Sequence, residues 1–164
     1  MKAKKIFLLV FFIGVSGLVY YLIPEMGTSV RLKALEKLWL SEKNSLTYKA
    51  AYTLLAFAKN NYQTITRSLT TDTVNWLIEQ QERDGGFAPW KGHPVGSNIY
   101  CTSVSCLALL NYKDRVPKSV FDNAYKYIIN SQLKNGIWAY HEIEDGAAWG
   151  VRALAEMEKV IYNE

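Results

Sequence analysis

The side chains best suited to chemistry in this chain lie in or beside two loops, each of which precedes a predicted helix. His93 and His141 are the two histidines of the sequence, and they occupy equivalent positions in these loops. Carboxylates accompany them, because Glu142 and Asp145 follow His141 and Asp84 precedes the first loop. A histidine beside carboxylates can supply the acid and the base of a proton transfer. These five residues are therefore the candidates for catalysis.

Aromatic side chains lie near the same loops. Trp90 is in the first loop, Tyr140 is in the second, and Trp149 follows in the next predicted helix. Aromatic rings stack on sugars and cover apolar ligands, so these three are candidate ligand-binding residues. The alternative is a solvated polar loop whose aromatics only cover the ends of helices.

Neither histidine belongs to a recognisable metal motif. The acidic cluster after His141 lacks the D-x-D-x-D-G calcium pattern, and its spacing fixes no coordination geometry. Cys101 and Cys106 are five residues apart on a predicted helix, which places them on different faces and argues against a disulfide. We expect both thiols to be buried as small apolar groups. The sequence therefore predicts no metal site and no cofactor.

One motif, Q-x-x-x-G-x-[FW], occurs twice in the chain at an interval of 51 residues. Its fixed positions are Gln81, Gly85 and Phe87 in the first copy, and Gln132, Gly136 and Trp138 in the second. A glycine is favoured where a helix ends in a left-handed residue, and a glutamine one turn earlier can bond to freed backbone groups. The aromatic can then fold over the joint. We expect these six residues to hold neighbouring helices together rather than to catalyse.

Helical periodicity surrounds both motifs and predicts six helices, which form three αα-hairpins. The expected N-caps are Ser45 for the second helix and Thr70 or Thr71 for the third, and the fourth helix is expected to begin after Asn98. The fifth helix follows Pro117 and ends near residue 131, and the last covers about 147–162. The sequence thus predicts an all-α domain over residues 28–164.

At these motifs the chain resembles the terpenoid cyclase and protein prenyltransferase superfamily, whose squalene-hopene cyclase members carry repeated QW motifs. The segment 81–87 is similar to the family's Q-x-x-D-G-G-F, and the segments 100–102 and 107–110 are similar to the start of its next inner helix. The resemblance covers residues 70–160 well and residues 30–60 weakly. It implies a partial α/α toroid of three hairpins, about half of a closed ring. We therefore expect self-association, a partner protein that completes the ring, or a concave groove that binds a ligand.

The catalytic signatures of these families are missing. The sequence has no D-x-D-D segment of the cyclases and no G-C-G-E-Q segment of the related thioester domains. The zinc site of prenyltransferases has an Asp two residues before its Cys, where this chain has Ile99 before Cys101. The resemblance thus implies a module that binds a glycan, a peptide, an isoprenoid or a partner protein without catalysis. The alternative is an enzyme acting on a polysaccharide or an isoprenoid through the loop histidines and carboxylates.

The N-terminus predicts a membrane anchor at residues 1–24. Ile6–Ile23 is an apolar run of 18 residues, close to the roughly 20 that cross a bilayer as a helix. Lys2, Lys4 and Lys5 precede this run, which predicts a helical domain on the extracytoplasmic side. A cleaved signal peptide, followed by secretion, is the alternative. The same lysines supply most of the net charge of +4, so we expect no nucleic-acid partner.

Overall fold

The structure is a computed structural model that describes residues 27–42, 45–140 and 143–162. Over these ranges the chain is helical, and its one β-type contact is an isolated bridge between Gln81 and Phe87. Six α-helices occur there: α1 (27–42), α2 (Thr47–Lys59), α3 (Leu69–Glu79), α4 (Ile99–Leu110), α5 (Lys118–Ser131) and α6 (Ile143–Met157). A short 3-10 turn precedes α5, and a π-helical segment, Glu158–Tyr162, continues α6. The predicted all-α class is confirmed.

The predicted membrane anchor, residues 1–24, lies outside the described residues. Within the described ranges, no helix has both the length and the apolar character that crossing a bilayer requires. The anchor and the extracytoplasmic location therefore stay predictions.

Two helix starts show the limits of local capping signals. Helix α4 begins directly after Asn98 as predicted, and the Asn98 side chain caps it by accepting a hydrogen bond from a backbone N–H of the first turn. The predicted cap at Ser45 is wrong, since α2 starts after Leu46, whose side chain makes no capping hydrogen bond. Instead, the backbone N–H of Thr47 donates to the carbonyl of Pro89 at 2.8 Å. A distant loop thus caps this helix.

Two further helices begin earlier than predicted. Helix α3 begins at Leu69, so Thr70 and Thr71 lie inside the helix rather than at its cap. Leu69 is buried in the core, and this burial favours a helix that already begins at Leu69. The last helix begins at Ile143, four residues before the predicted start at Ala147. Both errors are at helix ends, which local sequence signals locate less precisely than helix interiors.

The helices pack around α4. Helix α4 lies between α2 and α6, α3 packs on α2, and α5 packs on both α4 and α6. Helix α1 is attached through Trp39, whose indole N–H donates to Thr73 Oγ1 of α3 at 2.9 Å. Every residue of 99–109 is buried except Tyr100. Tyr100, near the start of the central helix, therefore marks a surface that the surrounding helices leave uncovered.

A buried carboxylate holds α1 against the loop that precedes α3. Glu36 is only 2% exposed, and it accepts hydrogen bonds from the Tyr62 hydroxyl and from the backbone N–H groups of Ile65 and Thr66. Burial alone would raise the pKa of Glu36, but these hydrogen bonds outweigh it and lower the pKa below its usual value. The carboxylate is therefore ionised and fully bonded at neutral pH.

The two cysteines are buried and unpaired, as the sequence predicts. Cys106 is inaccessible to solvent, and burial raises the pKa of its thiol to about 12. Burial also raises the pKa of Cys101. Both thiols are protonated at neutral pH and act as small apolar side chains of α4.

Candidate functional site

A group of aromatic side chains lies along the N-terminal halves of α2, α4 and α6 and in the loop before α6. We call it the aromatic band; it consists of Tyr48, Tyr52, Tyr100, Tyr140 and Trp149. The Tyr100 ring is central: it stacks on Tyr140 at 5.4 Å between centroids and meets the edge of Trp149 at 5.8 Å. The rings of Tyr48 and Tyr52 lie 6.2 and 6.5 Å from it. The band joins three helices into one aromatic surface.

The band forms because α2 places two tyrosines one turn apart. Tyr48 and Tyr52 are four residues apart, so they lie on the same face of the helix. Tyr100 is the second residue of α4, at the edge where the packing of that helix opens to solvent. The side-by-side arrangement of α2 and α4 then brings the three rings together.

A hydrogen bond between two tyrosine hydroxyls lies within the band. The hydroxyl oxygens of Tyr52 and Tyr100 are 2.7 Å apart. Burial, together with this hydrogen bond, raises the pKa of Tyr100 far above its usual value. The Tyr100 hydroxyl therefore stays protonated at neutral pH, and the hydrogen-bonded pair offers a polar point in an otherwise apolar surface.

A cavity of about 560 Å³ lies between α1, α2 and α4, and the tyrosines of α2 and α4 form one of its walls. Leu35, Leu38 and Ala56 contribute to the apolar remainder of the wall. The volume is within the range of about 300 to 1,000 Å³ that small-molecule sites occupy. Such a wall suits an apolar chain whose polar end reaches the tyrosine hydroxyl groups.

The charged residues of this cavity neutralise one another. Lys49 donates to a carboxylate oxygen of Glu42 at 2.6 Å, and both side chains are partly exposed at the rim. This hydrogen bond raises the pKa of Lys49 above its usual value. The pair thus presents little net charge to a ligand, and the interior of the cavity is left to the aromatic and aliphatic side chains.

The structure separates the aromatic residues that the sequence grouped as ligand-binding candidates. Tyr140 and Trp149 both contact Tyr100 in the aromatic band. Trp90 does not belong to the band: it lies in the loop after the first motif, where its ring meets the edge of His93 at 4.2 Å. It is 44% exposed. Only two of the three candidates therefore belong to the aromatic band.

Two of the five catalytic candidates share a second, polar depression. Asp84 and His93 both line this depression of about 670 Å³ beside the first motif. One carboxylate oxygen of Asp84 accepts hydrogen bonds from the Gly86 N–H at 2.9 Å and from the Ser97 hydroxyl at 2.8 Å. The Nδ1 atom of His93 accepts the N–H of Val95 at 3.2 Å. These hydrogen bonds hold the loop in place, so Asp84 and His93 both have a structural role.

The other catalytic candidates are not brought to this depression by any described contact. His141 and Glu142 lie outside the described residues, and Asp145 is in the first turn of α6. In the part of the chain that the structure describes, no three metal-ligating side chains converge. The described residues thus assemble an aromatic cavity more completely than an acid–base centre.

Sequence reasoning missed the central residues of the cavity. Tyr48, Tyr52 and Leu38 were not among the candidates, and Tyr100 appeared only as part of a family-like segment. One signal was available, namely two tyrosines at i and i+4 within an apolar helix. Their convergence with Tyr100, about 50 residues later in the chain, depends on helix packing and has no local signal.

Comparison with known proteins gives no relative for this chain. No family model matches it, and neither the curated proteins nor the solved structures contain a significant match. The family resemblance of the two motifs therefore remains a prediction, and the function has to be argued from the geometry of the site.

Proposed function

We propose that this domain is a binding module for a ligand with an apolar chain, such as an isoprenoid-like lipid. The observation that carries the proposal is the cavity between α1, α2 and α4, with Tyr100 at the junction of cavity and aromatic band. The chain of the ligand lies against Leu35 and Ala56, and its polar end bonds to the hydroxyl groups of Tyr52 and Tyr100.

The composition of the wall favours an apolar ligand over a glycan. A sugar presents a hydroxyl group on nearly every carbon, and a site that binds it needs several hydrogen-bonding partners beside the stacking ring. Around this cavity the neutral hydrogen-bonding groups are mainly tyrosine hydroxyls, and Glu42 and Lys49 already bond to each other. An apolar chain gains free energy from the aliphatic and aromatic wall without leaving buried polar groups unpaired.

We further propose that the helices form a partial α/α toroid, as the family resemblance implies. In this arrangement α2, α4 and α6 are the inner helices and carry the aromatic band, while α1, α3 and α5 are the outer helices. The contacts of α4 with both α2 and α6 support this assignment. An anchor at residues 1–24 would hold the domain at a membrane, on its extracytoplasmic side, which is a source of lipid ligands.

The alternative function is an enzyme of the same group, which uses the polar depression. Its support is that Asp84 and His93 line one depression. The hydrogen bonds of Asp84 to Gly86 and Ser97 weigh against it, because they commit one carboxylate oxygen to the loop. If turnover of a polysaccharide or an isoprenoid is found, His93→Ala should abolish it and Trp90→Phe should not.

Photolabelling tests the proposed function. The full chain is irradiated with a farnesyl-type alcohol that carries a diazirine, and the labelled peptides are identified by mass spectrometry. We expect labelling of α1, α2 and the start of α4, and competition by unlabelled farnesol. Ala56→Phe fills the cavity and should suppress labelling, whereas the matched variant Asn75→Phe, on the exposed face of α3, should not. Equal labelling of the two variants would refute the proposal.

A further inference from the structure

A second cavity, of about 520 Å³, lies at the C-terminal end of α2. Its wall comes from the end of α2 and the loop after it, from the first turn of α3, and from the turn after α4. The wall is mainly polar and includes two arginines, Arg67 and Arg115, so we call it the arginine cavity. It shares no lining residue with the apolar cavity between α1, α2 and α4. A ligand of the arginine cavity therefore binds at a separate site.

The charge of the arginine cavity is positive. The segments that build it are 57–72 and 111–115, and their charged residues are Lys59, Arg67, Lys113 and Arg115, against Asp72 and Asp114. Of these six, only the two arginines line the cavity, and no described carboxylate does. Glu36 bonds to the wall residue Tyr62, but its buried carboxylate already accepts three hydrogen bonds. The cavity thus favours an anionic ligand.

The two arginines are not neutralised by the protein. One guanidinium nitrogen of Arg115 donates to the hydroxyl oxygen of Thr71 at 3.1 Å, which is an uncharged acceptor. Arg67 is exposed, and within the described ranges its side chain has neither a hydrogen bond nor an ion pair. Each guanidinium carries five N–H donors, so most of these donors are available to a ligand. Two like charges that line one cavity also repel each other, and a bound anion offsets this repulsion.

Uncharged hydrogen-bonding groups lie beside the arginines. The side-chain amides of Asn61 and Gln63 and the hydroxyl of Thr70 line the same cavity. In the part of the chain that the structure describes, these three side chains make no hydrogen bond to another protein group. They can therefore donate to the oxygen atoms of a ligand that the arginines already hold.

Hydrogen bonds between elements hold the wall of the cavity in place. The Tyr112 hydroxyl donates to the Leu54 carbonyl at 3.1 Å, which joins the turn after α4 to α2. The bond from Arg115 to Thr71 joins the same turn to α3. A site whose walls are already joined in this way loses less conformational entropy when a ligand binds.

We propose that the arginine cavity binds the phosphate group of a small polar phosphate ester. Arg67 and Arg115 bond to the phosphate oxygens, and the neighbouring amide and hydroxyl groups bond to the other oxygen atoms of the ester. A phosphate suits this cavity better than a carboxylate, because it offers more acceptor oxygens to donors that come from separate segments. The mainly polar wall favours a hydroxyl-bearing ester, such as a sugar phosphate, over a long acyl chain.

Isothermal titration calorimetry of the full chain tests the proposal with inorganic phosphate and glucose 6-phosphate, and glucose is the matched ligand without a phosphate. We expect saturable binding of both phosphates and none of glucose. Arg67→Gln and Arg115→Gln should each weaken binding of glucose 6-phosphate at least about tenfold. The control Arg31→Gln, at an exposed position of α1 outside the cavity, should leave binding unchanged. Equal binding of glucose, or equal losses for all three variants, would overturn the proposal.

A vesicle assay distinguishes a soluble ester from a lipid headgroup as the source of the phosphate. The full chain and Arg115→Gln are sedimented with phosphatidylcholine vesicles that contain or lack phosphatidic acid. We expect phosphatidic acid to make no difference to either protein. Binding to phosphatidic acid that Arg115→Gln weakens, without binding of the soluble phosphates, would overturn the soluble ester in favour of a lipid headgroup. Absence of binding to every phosphate, with folding verified by circular dichroism, would overturn the site itself.

Discussion

The first and second motifs have nearly the same internal bonds but different surroundings. In each motif, the backbone N–H of the residue after the glutamine donates to a carbonyl on the far side of the turn. These hydrogen bonds join Glu82 to Gly86 at 2.9 Å and Leu133 to Ile137 at 2.7 Å. Their glycines have φ values of 88° and 83°. The first motif lies under α5, while the second is open. The comparison shows that the local sequence determines the turn, and that a further helix determines whether the turn is buried.

The glycines provide the largest expected difference between the motifs. Gly85→Ala and Gly136→Ala both place a Cβ in the left-handed region, at a cost of about 1 kcal/mol. Only Gly85→Ala also forces a clash with the Asn123 backbone, which adds about 1 to 3 kcal/mol. Urea unfolding should therefore rank Gly85→Ala well below Gly136→Ala in stability. Equal losses would show that α5 does not pack closely on the first motif.

The aromatic residues differ in their hydrogen bonding. The Trp138 indole donates to the Ile128 carbonyl at 2.7 Å and is buried, whereas Phe87 has no such donor. Trp138→Phe makes the second motif like the first and should cost about 2 kcal/mol, from the lost hydrogen bond and the space left behind. Trp90→Phe, at an exposed site, is the control and should change the unfolding free energy by less than about 0.5 kcal/mol. A similar small change for both would be evidence against the buried indole bond.

The buried Glu36 carboxylate of α1 should make the stability of the fold depend on pH. The pKa of Glu36 is lowered in the folded state, so its contribution is present above the unfolded value, near 4.5, and is lost as the pH falls through the folded pKa. Glu36→Gln should cost about 1.5 kcal/mol at about pH 7 and less at about pH 3. Urea titrations at both pH values measure this difference. If Glu36→Gln costs as much unfolding free energy at about pH 3 as at about pH 7, Glu36 is not an ionised, hydrogen-bonded carboxylate.

The glutamines give the smallest difference. Gln81→Ala removes two hydrogen bonds, one of them to α5, and should cost about 1 to 2 kcal/mol. Gln132→Ala removes one bond at an exposed site and should cost about 0.5 kcal/mol in the monomer. Unfolding at low protein concentration separates this cost from any effect on association. A larger loss for Gln132→Ala would reverse the comparison.

Local chemistry made the turns of the fold predictable, whereas the cavity depended on packing. The start of α4 after Asn98 could be predicted, and the Asn98 side chain bonds within the first turn of that helix. Ser45 was predicted wrongly because the start of α2 bonds to Pro89, more than 40 residues away in the chain. From the sequence, Trp90 and Trp149 were equivalent ligand-binding candidates near their loops. Only the packing of α4 against α6 brings Trp149 into contact with Tyr100. Sequence patterns report neighbours along one helix, and the candidate site lies between helices.

Equilibrium binding of a fluorescent farnesyl probe tests the central claim most directly. Tyr100→Ala removes the centre of the aromatic band and one hydroxyl of the hydrogen-bonded tyrosine pair, while Trp90→Ala removes an aromatic residue outside the band. The proposed function predicts saturable binding to the full chain, a loss of at least about tenfold in affinity for Tyr100→Ala, and no change for Trp90→Ala. Absence of saturable binding, or equal affinity of the two variants, would contradict it.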